Sequence, residues 1–500
     1  MREKSIVIVG GGIAGLAAGC YARMNGYRAT ILEMHKLPGG LCTAWKRKGY
    51  TFDISMHILV GSRSGAFHAM WRELGAVQRR EFHYHRDLVR VESGDRAFVY
   101  GPDRGELEHA LLAISPGDAA LIREFVALLY GRSPMNAAAL RAPELGGAVD
   151  KARTMLAILP LLPTFVRCGN RTVQQFAEQF RDPFLRQAVR FVIDGPGWPM
   201  LRYPLAALAG FCGSVGPEHG VPLGGSQAVA FDVAERFRGL GGELRCGARV
   251  VELLVESDRA AGVRLADGSE VRGDVVIWAA DGHQLIFELL GGRYLDDTVR
   301  NVYERWTPVR PLVHVCLGVA RDFSREPARL IFELERPFAV AGETRRWLSV
   351  LHHSFDPSAA PPGKAAVEVW YPSSYEYWER LAGRRGEYEA EKQRIADLTI
   401  AALDRRWPGL AAAVEVVDVP TPATYVRYTG NWKASPDGWY VTPENVRADP
   451  LRALPGLSDL WMCGQWTAPF TGTVLGALTG RQVVELLCRR DGVRFATSEP

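Results

Sequence analysis

The chain lacks several signatures that would settle its class at once. Its eight cysteines (Cys20, Cys42, Cys168, Cys212, Cys246, Cys316, Cys463 and Cys488) form no C-x-x-C pair and no cluster with histidine at metal-ligand spacing, so zinc ribbons and dithiol redox motifs are excluded and reduced, mostly buried thiols in a cytoplasmic compartment are expected. No apolar run approaches the roughly 18–20 residues needed to cross a bilayer, and Met1-Arg2-Glu3-Lys4 leads straight into a strand pattern, so a protein that is neither exported nor membrane-spanning is expected. Charge of one sign is missing too: 60 basic residues against 56 acidic ones leave +4, far from the basic stripe of a nucleic-acid binder, and no nucleic-acid partner is expected. There is no G-x-S-x-G elbow and no H-E-x-x-H, which counts against hydrolase and metalloprotease chemistry. Low-complexity linkers and internal repeats are absent as well.

What is present is a globular composition, 47% apolar and 23% charged, in 500 residues, long enough for two or three lobes with a cofactor between them. Ser5 to Val9 reads SIVIV, the pattern of a strand buried on both faces. Gly10-Gly11-Gly12-Ile13-Ala14-Gly15 then gives G-x-G-x-x-G, a helical stretch runs to Gly26, and Arg28 to Glu33 forms a second strand. In such a unit Gly10 permits the tight turn, Gly12 lets the backbone approach a pyrophosphate, and Gly15 lets helix and strand pack closely. The N–H groups at the helix start, with Ile13 and Ala14, face the phosphates. Glu33 closes the second strand 18 residues after Gly15, where a carboxylate accepts ribose hydroxyls. FAD and NAD both satisfy these features.

The next blocks separate them. Leu37-Pro38-Gly39-Gly40-Leu41-Cys42 is followed by Gly49-Tyr50-Thr51-Phe52-Asp53-Ile54-Ser55-Met56-His57. A glycine pair after the ribose acid, then G-Y-T-F-D, resembles the flavin oxidoreductases that include bacterial phytoene desaturases, carotenoid isomerases and retinol saturases, in the superfamily of the flavin amine oxidases. Three later blocks add to the resemblance: His219 to Arg249 with Val250 after it, the hairpin and strand from Val263 around Asp267-Gly268, and Leu460 to Leu487. Leu41 stands where that family often has arginine, and the Leu41-Cys42 pair with His57 looks most like the retinol saturases.

The resemblance implies bound FAD. Gly10, Gly12, Ile13, Ala14, Gly15, Glu33, Gly40, Leu41 and Met56 would hold it, Val250 would pair with the adenine, and Gly464, Gly472, Thr473 and Val474 would meet the flavin and ribityl chain. It implies an α/β fold in which a Rossmann-type FAD domain is assembled from residues 1–75, 219–295 and 436–500. Residues 76–218 and 296–435 would form an interleaved α+β substrate domain, a sheet flanked by helices. The implied activity is desaturation, saturation or isomerisation of C=C bonds in an apolar polyene or isoprenoid, with hydride transfer at flavin N5. Amine or amino-acid oxidation, a related flavin reaction on a specialised metabolite, and a flavin-free prenyl carrier are the alternatives. His57 is the acid–base candidate; His352, His353 and Asp281 are weaker ones. Trp432, Trp439 and Trp466 read as packing or as a cofactor box.

Met155 to Val166 (MLAILPLLPTFV), flanked by Arg153, Arg167 and Arg171, reads as a buried helix–loop pair, or else as a greasy tunnel mouth or a membrane-surface contact. Oligomeric state is left open. Gly239-Leu240-Gly241-Gly242 precedes a strand rather than following one, so it is no second phosphate loop, and slow reduction by NADPH is expected, checked by anaerobic stopped-flow bleaching.

Overall fold

The computed structural model of the protein describes residues 3–131, 140–148, 152, 155–156, 159–191, 199–212, 220–469 and 472–500. Two sheets organise these residues. The first is parallel and five-stranded, in the order Leu460–Met462, Val275–Trp278, Ser5–Val9, Arg28–Glu33, Glu243–Cys246. Its central strand has neighbours on both sides and helices or strands over both faces, and Ser5 to Val9 is accordingly buried at every position. Burying side chains such as Ile6, Val7 and Ile8 contributes about 1.5–3 kcal/mol each, which is why an unbroken apolar run stands there.

One face of this sheet carries the helices Ile13–Met24, Gly225–Gly239 and Thr473–Arg490. The other packs on an antiparallel layer of Val250–Glu256, Arg259–Leu265 and Glu270–Arg272. Close helix contacts depend on small residues: a Cβ on Gly480 would lie 2.3 Å from the Ala14 carbonyl oxygen. The strands come from the beginning, middle and end of the chain, so the nucleotide-type domain is discontinuous.

The second sheet has seven strands, Val414–Asp418, Leu312–Val319, Ala365–Pro372, Glu343–His352, Arg329–Val340, Val89–Ser93 and Arg96–Tyr100 in that order. All neighbours are antiparallel except Arg329–Val340 with Val89–Ser93. Helices Tyr375–Ala382 and Arg385–Arg406 cover one face, and the helices within Arg104–Leu129 and Val173–Ala188 pack on part of the other. Leu312, Leu351 and Trp370 form a small separate apolar group on this sheet. The fold is therefore α/β, a Rossmann-type domain joined to a helix-flanked mixed sheet.

Thr172 to Val189 forms helices Val173–Ala177 and Pro183–Ala188, with Asp182 capping the second through Leu185 N–H at 2.9 Å. The buried reading of Met155 to Val166 is overturned for the described residues. Pro160 and Pro163 break the run into a 3₁₀ turn, Leu159–Leu161, and a short helix, Leu162–Cys168, because proline removes the donors that one continuous helix would need. These pieces lie at the surface, with Met155 70%, Leu156 65% and Val166 79% exposed. Arg153, His219, Phe470 and Thr471 fall outside the described residues.

Candidate active site

The strand Ser5–Val9 delivers Gly10 to the carboxyl edge of the parallel sheet, and Gly10 turns the chain with φ +104°. A Cβ at Gly15 would sit 2.0 Å from the Gly10 carbonyl oxygen, so that position is closed by the protein itself. Gly12 is different: its nearest protein atom to an added Cβ is Gly40 Cα, 3.9 Å away. The space beyond belongs to a cavity of about 1300 Å³. Gly10, Gly12, Ile13, Ala14, Glu33, Gly40, Leu41, Met56, His57, Val250, Gly464, Gly472, Thr473 and Val474 all line it; Gly15 does not and serves helix–strand contact.

Two helices begin at this cavity without a side-chain cap, Ile13–Met24 after Gly12 and Thr473–Arg490 after Gly472. Their N-terminal N–H groups and dipoles favour anionic or electron-rich groups there. Glu33 is buried and accepts the N–H of Gly11 at 2.7 Å and of His35 at 2.8 Å. Burial raises its pKa and these backbone donors oppose the rise, while each oxygen keeps a lone pair for a ribose hydroxyl. Gly12 and Gly472 leave open room where a side chain would stand. An open glycine cradle, two uncapped helix starts and a buried acid at the second strand's end suit an adenine dinucleotide, and these residues fit FAD. Glu33→Ala is expected to weaken FAD binding by about 1.5–3 kcal/mol through lost charged hydrogen bonds, read as a raised dissociation constant in cofactor titration of apoprotein.

Asp53, from the G-Y-T-F-D block, lies away from the cavity and organises it. It accepts the Ser226 hydroxyl at 2.6 Å and the Ser226 N–H, and its own N–H donates to Glu368 at 3.2 Å. The hairpin of Ala44–Arg47 and Tyr50–Asp53, helix Gly225–Gly239 and the second sheet are thereby tied together just before Met56 and His57 in the chain. Asp437 was not legible as a site residue. It lines the cavity beside Thr473 and accepts the Gly472 N–H, and burial pushes its carboxyl up to about 6.

His57 lies against Trp370 with ring centroids 4.3 Å apart, and its Nδ1 has no hydrogen-bond partner among the described residues. Burial first, then the Arg329 guanidinium, hold its pKa well below 6.5, so the ring is neutral. The weaker candidates stand elsewhere. His352 contacts the Glu326 carbonyl oxygen through Nε2 at 3.3 Å, His353 approaches Glu368 at 3.4 Å, and Asp281 accepts the N–H groups of Gln284 and Trp432 at 2.7 and 2.8 Å; none of the three lines the cavity. Trp439 and Trp466 do line it and also pack edge-to-face, 5.2 Å between centroids, whereas Trp432 only packs.

Comparison with known proteins agrees with this geometry. A family described as "NAD(P)-binding Rossmann-like domain" matches residues 8–74. The prolycopene isomerase of Daucus carota is 24% identical over 96% of this chain and 79% of its own. The lycopene-forming phytoene desaturase of Pseudescherichia vulneris is 28% identical over 84% of this chain and 86% of its own, and the neurosporene-forming enzyme of Rhodobacter capsulatus 25% over 96% and 93%. Among solved structures, an oxidoreductase from Methanosarcina mazei superposes with a TM-score of 0.60 at 16% identity, covering 95% of this chain and 99% of its own. A putrescine oxidase variant gives 0.59 at 14%, covering 97% and 99%; these two show the fold. Relatives along most of the chain and the matched dinucleotide domain together show an FAD-dependent oxidoreductase similar to the phytoene desaturases and carotenoid isomerases.

Proposed function

We propose that the protein desaturates, saturates or isomerises C=C bonds of an apolar polyene or isoprenoid, with the glycine-lined residues named above holding FAD and His57 serving as acid–base group. The observation that carries the reading is the continuity of one cavity. It runs from the glycine cradle past His57 into a second-sheet region lined by Leu88, Val89, Phe165, Tyr203, Val309, Leu312 and Leu351. When bound, FAD supplies a two-electron acceptor. The protein's part is to align the polyene between the two sheets, exclude water with the apolar lining, and receive a proton on the neutral His57 imidazole as an adjacent C–H bond is broken. Division of the chain into the two interleaved domains is part of this reading.

Anaerobic titration with phytoene-type polyenes tests it, following loss of flavin absorbance and geometric isomers by chromatography. Bleaching or isomer conversion is expected; conversion of simple amines with polyenes inert would overturn it.

We further propose that the mouth of the cavity meets a membrane surface. Leu162 and Phe165 line the cavity from the short helix, Leu162 and Leu159 are 46% and 49% exposed, and Met155, Leu156 and Val166 extend the apolar surface beside exposed Arg167. Among the described residues no helix is long and apolar enough to cross a membrane, so contact would be peripheral, apolar side chains inserting at the interface and arginine meeting anionic headgroups. Flotation with phosphatidylglycerol vesicles is expected to carry the wild type upward and to leave a Met155→Glu/Val166→Glu variant behind. Equal flotation of both would count against the patch.

A further inference from the structure

Tyr440 lines the cavity and is otherwise buried, 7% exposed. Its polar atoms are held by three separate parts of the chain. The backbone N–H donates to the Thr307 carbonyl oxygen at 2.8 Å, the backbone carbonyl oxygen accepts the buried Asn445 amide at 2.8 Å, and the phenol oxygen accepts the Arg202 backbone N–H at 2.8 Å. The ring is thereby fixed at its root and at its tip. A backbone N–H can only donate, so the bond to Arg202 leaves the hydroxyl hydrogen of Tyr440 unspent. That hydrogen has no acceptor among the described residues. With the rest of the side chain packed by protein, the cavity is where it can find one.

The position is the second observation. Asp437 and Trp439 line the same cavity, and Asp437 accepts the Gly472 N–H at the start of the helix Thr473–Arg490. On the other side Val309 and Tyr203 line it, and the Val309 N–H donates to the Gly438 carbonyl oxygen at 2.7 Å. Tyr440 thus stands between the glycine-lined end and the apolar second-sheet end, where cofactor and substrate would meet. Burial pushes its pKa up to about 12, while the Arg202 N–H and guanidinium act to lower it. The side chain is therefore a phenol at neutral pH, and the same two groups of Arg202 would hold the phenolate that forms if the proton leaves. From this arrangement we propose that Tyr440 is a further catalytic residue, the proton donor when a C=C bond of the substrate is saturated. The inference rests on the polyene reading and assigns the acid of its reductive direction, as His57 is the proton acceptor of the oxidative one.

Saturation needs a hydride at one carbon and a proton at the next, and the apolar side chains of Val309 and Val441 beside Tyr440 make water a poor source of the second. The reductant is singly protonated reduced FAD (FADH−). Its hydride brings an electron pair to one carbon and forms a C–H bond there. The π pair of the C=C bond moves to the other carbon and forms a C–H bond with the Tyr440 proton. The O–H pair stays on the phenol oxygen against Arg202. Substrate gains two hydrogens, FADH− becomes FAD, and the phenolate takes a proton back from water once product has left.

The test uses FAD-loaded protein reduced anaerobically with dithionite and mixed in a stopped-flow cell with lycopene or all-trans-retinol, a long and a short polyene. Return of the oxidised flavin absorbance is followed, and dihydro product is identified by mass. Wild type is expected to reoxidise with at least one of the two. Tyr440→Phe should slow reoxidation by about 10²-fold or more, with FAD content and polyene binding, read from perturbation of the oxidised flavin spectrum, unchanged. Incorporation of 2,3-difluorotyrosine in place of Tyr440 keeps the shape and the bond to Arg202 with a more acidic hydroxyl, and should move the alkaline limb of the rate to lower pH. Reoxidation of Tyr440→Phe at the wild-type rate overturns the proposal, as does a rate lost in step with FAD or polyene binding, which would assign the hydroxyl to packing. An alkaline limb unmoved by fluorination overturns it without the phenylalanine variant having to fold. Oxidation of polyenes by the oxidised protein with no reoxidation of the reduced one overturns it while leaving the polyene reading intact. Reaction with no polyene in either direction counts against both.

Discussion

Gly12→Val is expected to yield a folded protein that purifies colourless. An added Cβ at this position meets no protein atom nearer than Gly40 Cα at 3.9 Å, so the scaffold has no reason to move. The branched side chain would instead project into the space where the motif brings backbone to pyrophosphate, and the helix N-terminus behind it would lose its access to the anion. The FAD-to-protein ratio after release of cofactor by heat, compared with circular dichroism of the same sample, reads the result. Full FAD occupancy would contradict the assignment of this loop. Gly15→Ala is the contrast: there a Cβ would collide with the Gly10 carbonyl at 2.0 Å, and loss of fold and of cofactor would come together.

His57→Ala should retain FAD and slow turnover by about 10²-fold, in the range for loss of a positioned acid–base group. The pH profile adds a readout. Burial and Arg329 depress the His57 pKa, so its neutral form persists as pH falls through 6.5. If His57 takes the proton, the wild-type rate should fall only at more acidic pH, and this acid limb should vanish in the variant along with most of the rate. Normal turnover with an unchanged profile would assign His57 to packing on Trp370.

The first half of the site was legible because its constraints are local. Strand, glycine turn, helix, strand and acid follow one another within 33 residues, and the strand limits Ser5–Val9 and Arg28–Glu33 are those the residue pattern marks out. Leu312–Val319 follows the same local logic, a mostly apolar run with every position buried. The hairpin of Arg329–Val340 and Glu343–His352 was harder: charged residues around Glu335-Arg336 and Glu343 to Arg346 interrupt the alternation of its exposed end. Tyr440 and Asp437 belong to no catalytic motif. What makes each a candidate is the company that distant elements bring to it, Arg202 for one and Gly472 for the other. Proline and leucine content likewise could not say whether Met155 to Val166 faced inward, because that depends on which neighbours cover it.

The parallel sheet has a consequence for how the chain is made. Its strand Ser5–Val9 emerges from the ribosome first, but its neighbour Val275–Trp278 arrives some 270 residues later and Leu460–Met462 closes the edge near the end. The helix Thr473–Arg490, whose Gly480 presses on Ala14 and Ala18, comes last of all. At roughly 5–20 residues per second, the dinucleotide motif spends on the order of half a minute or more without its final packing partner. The second sheet, complete by Asp418, can form while the first is still open. Cofactor capture therefore waits for Thr473–Arg490, and a nascent chain halted before Thr473 would carry an intact glycine motif that has nothing yet to close around FAD.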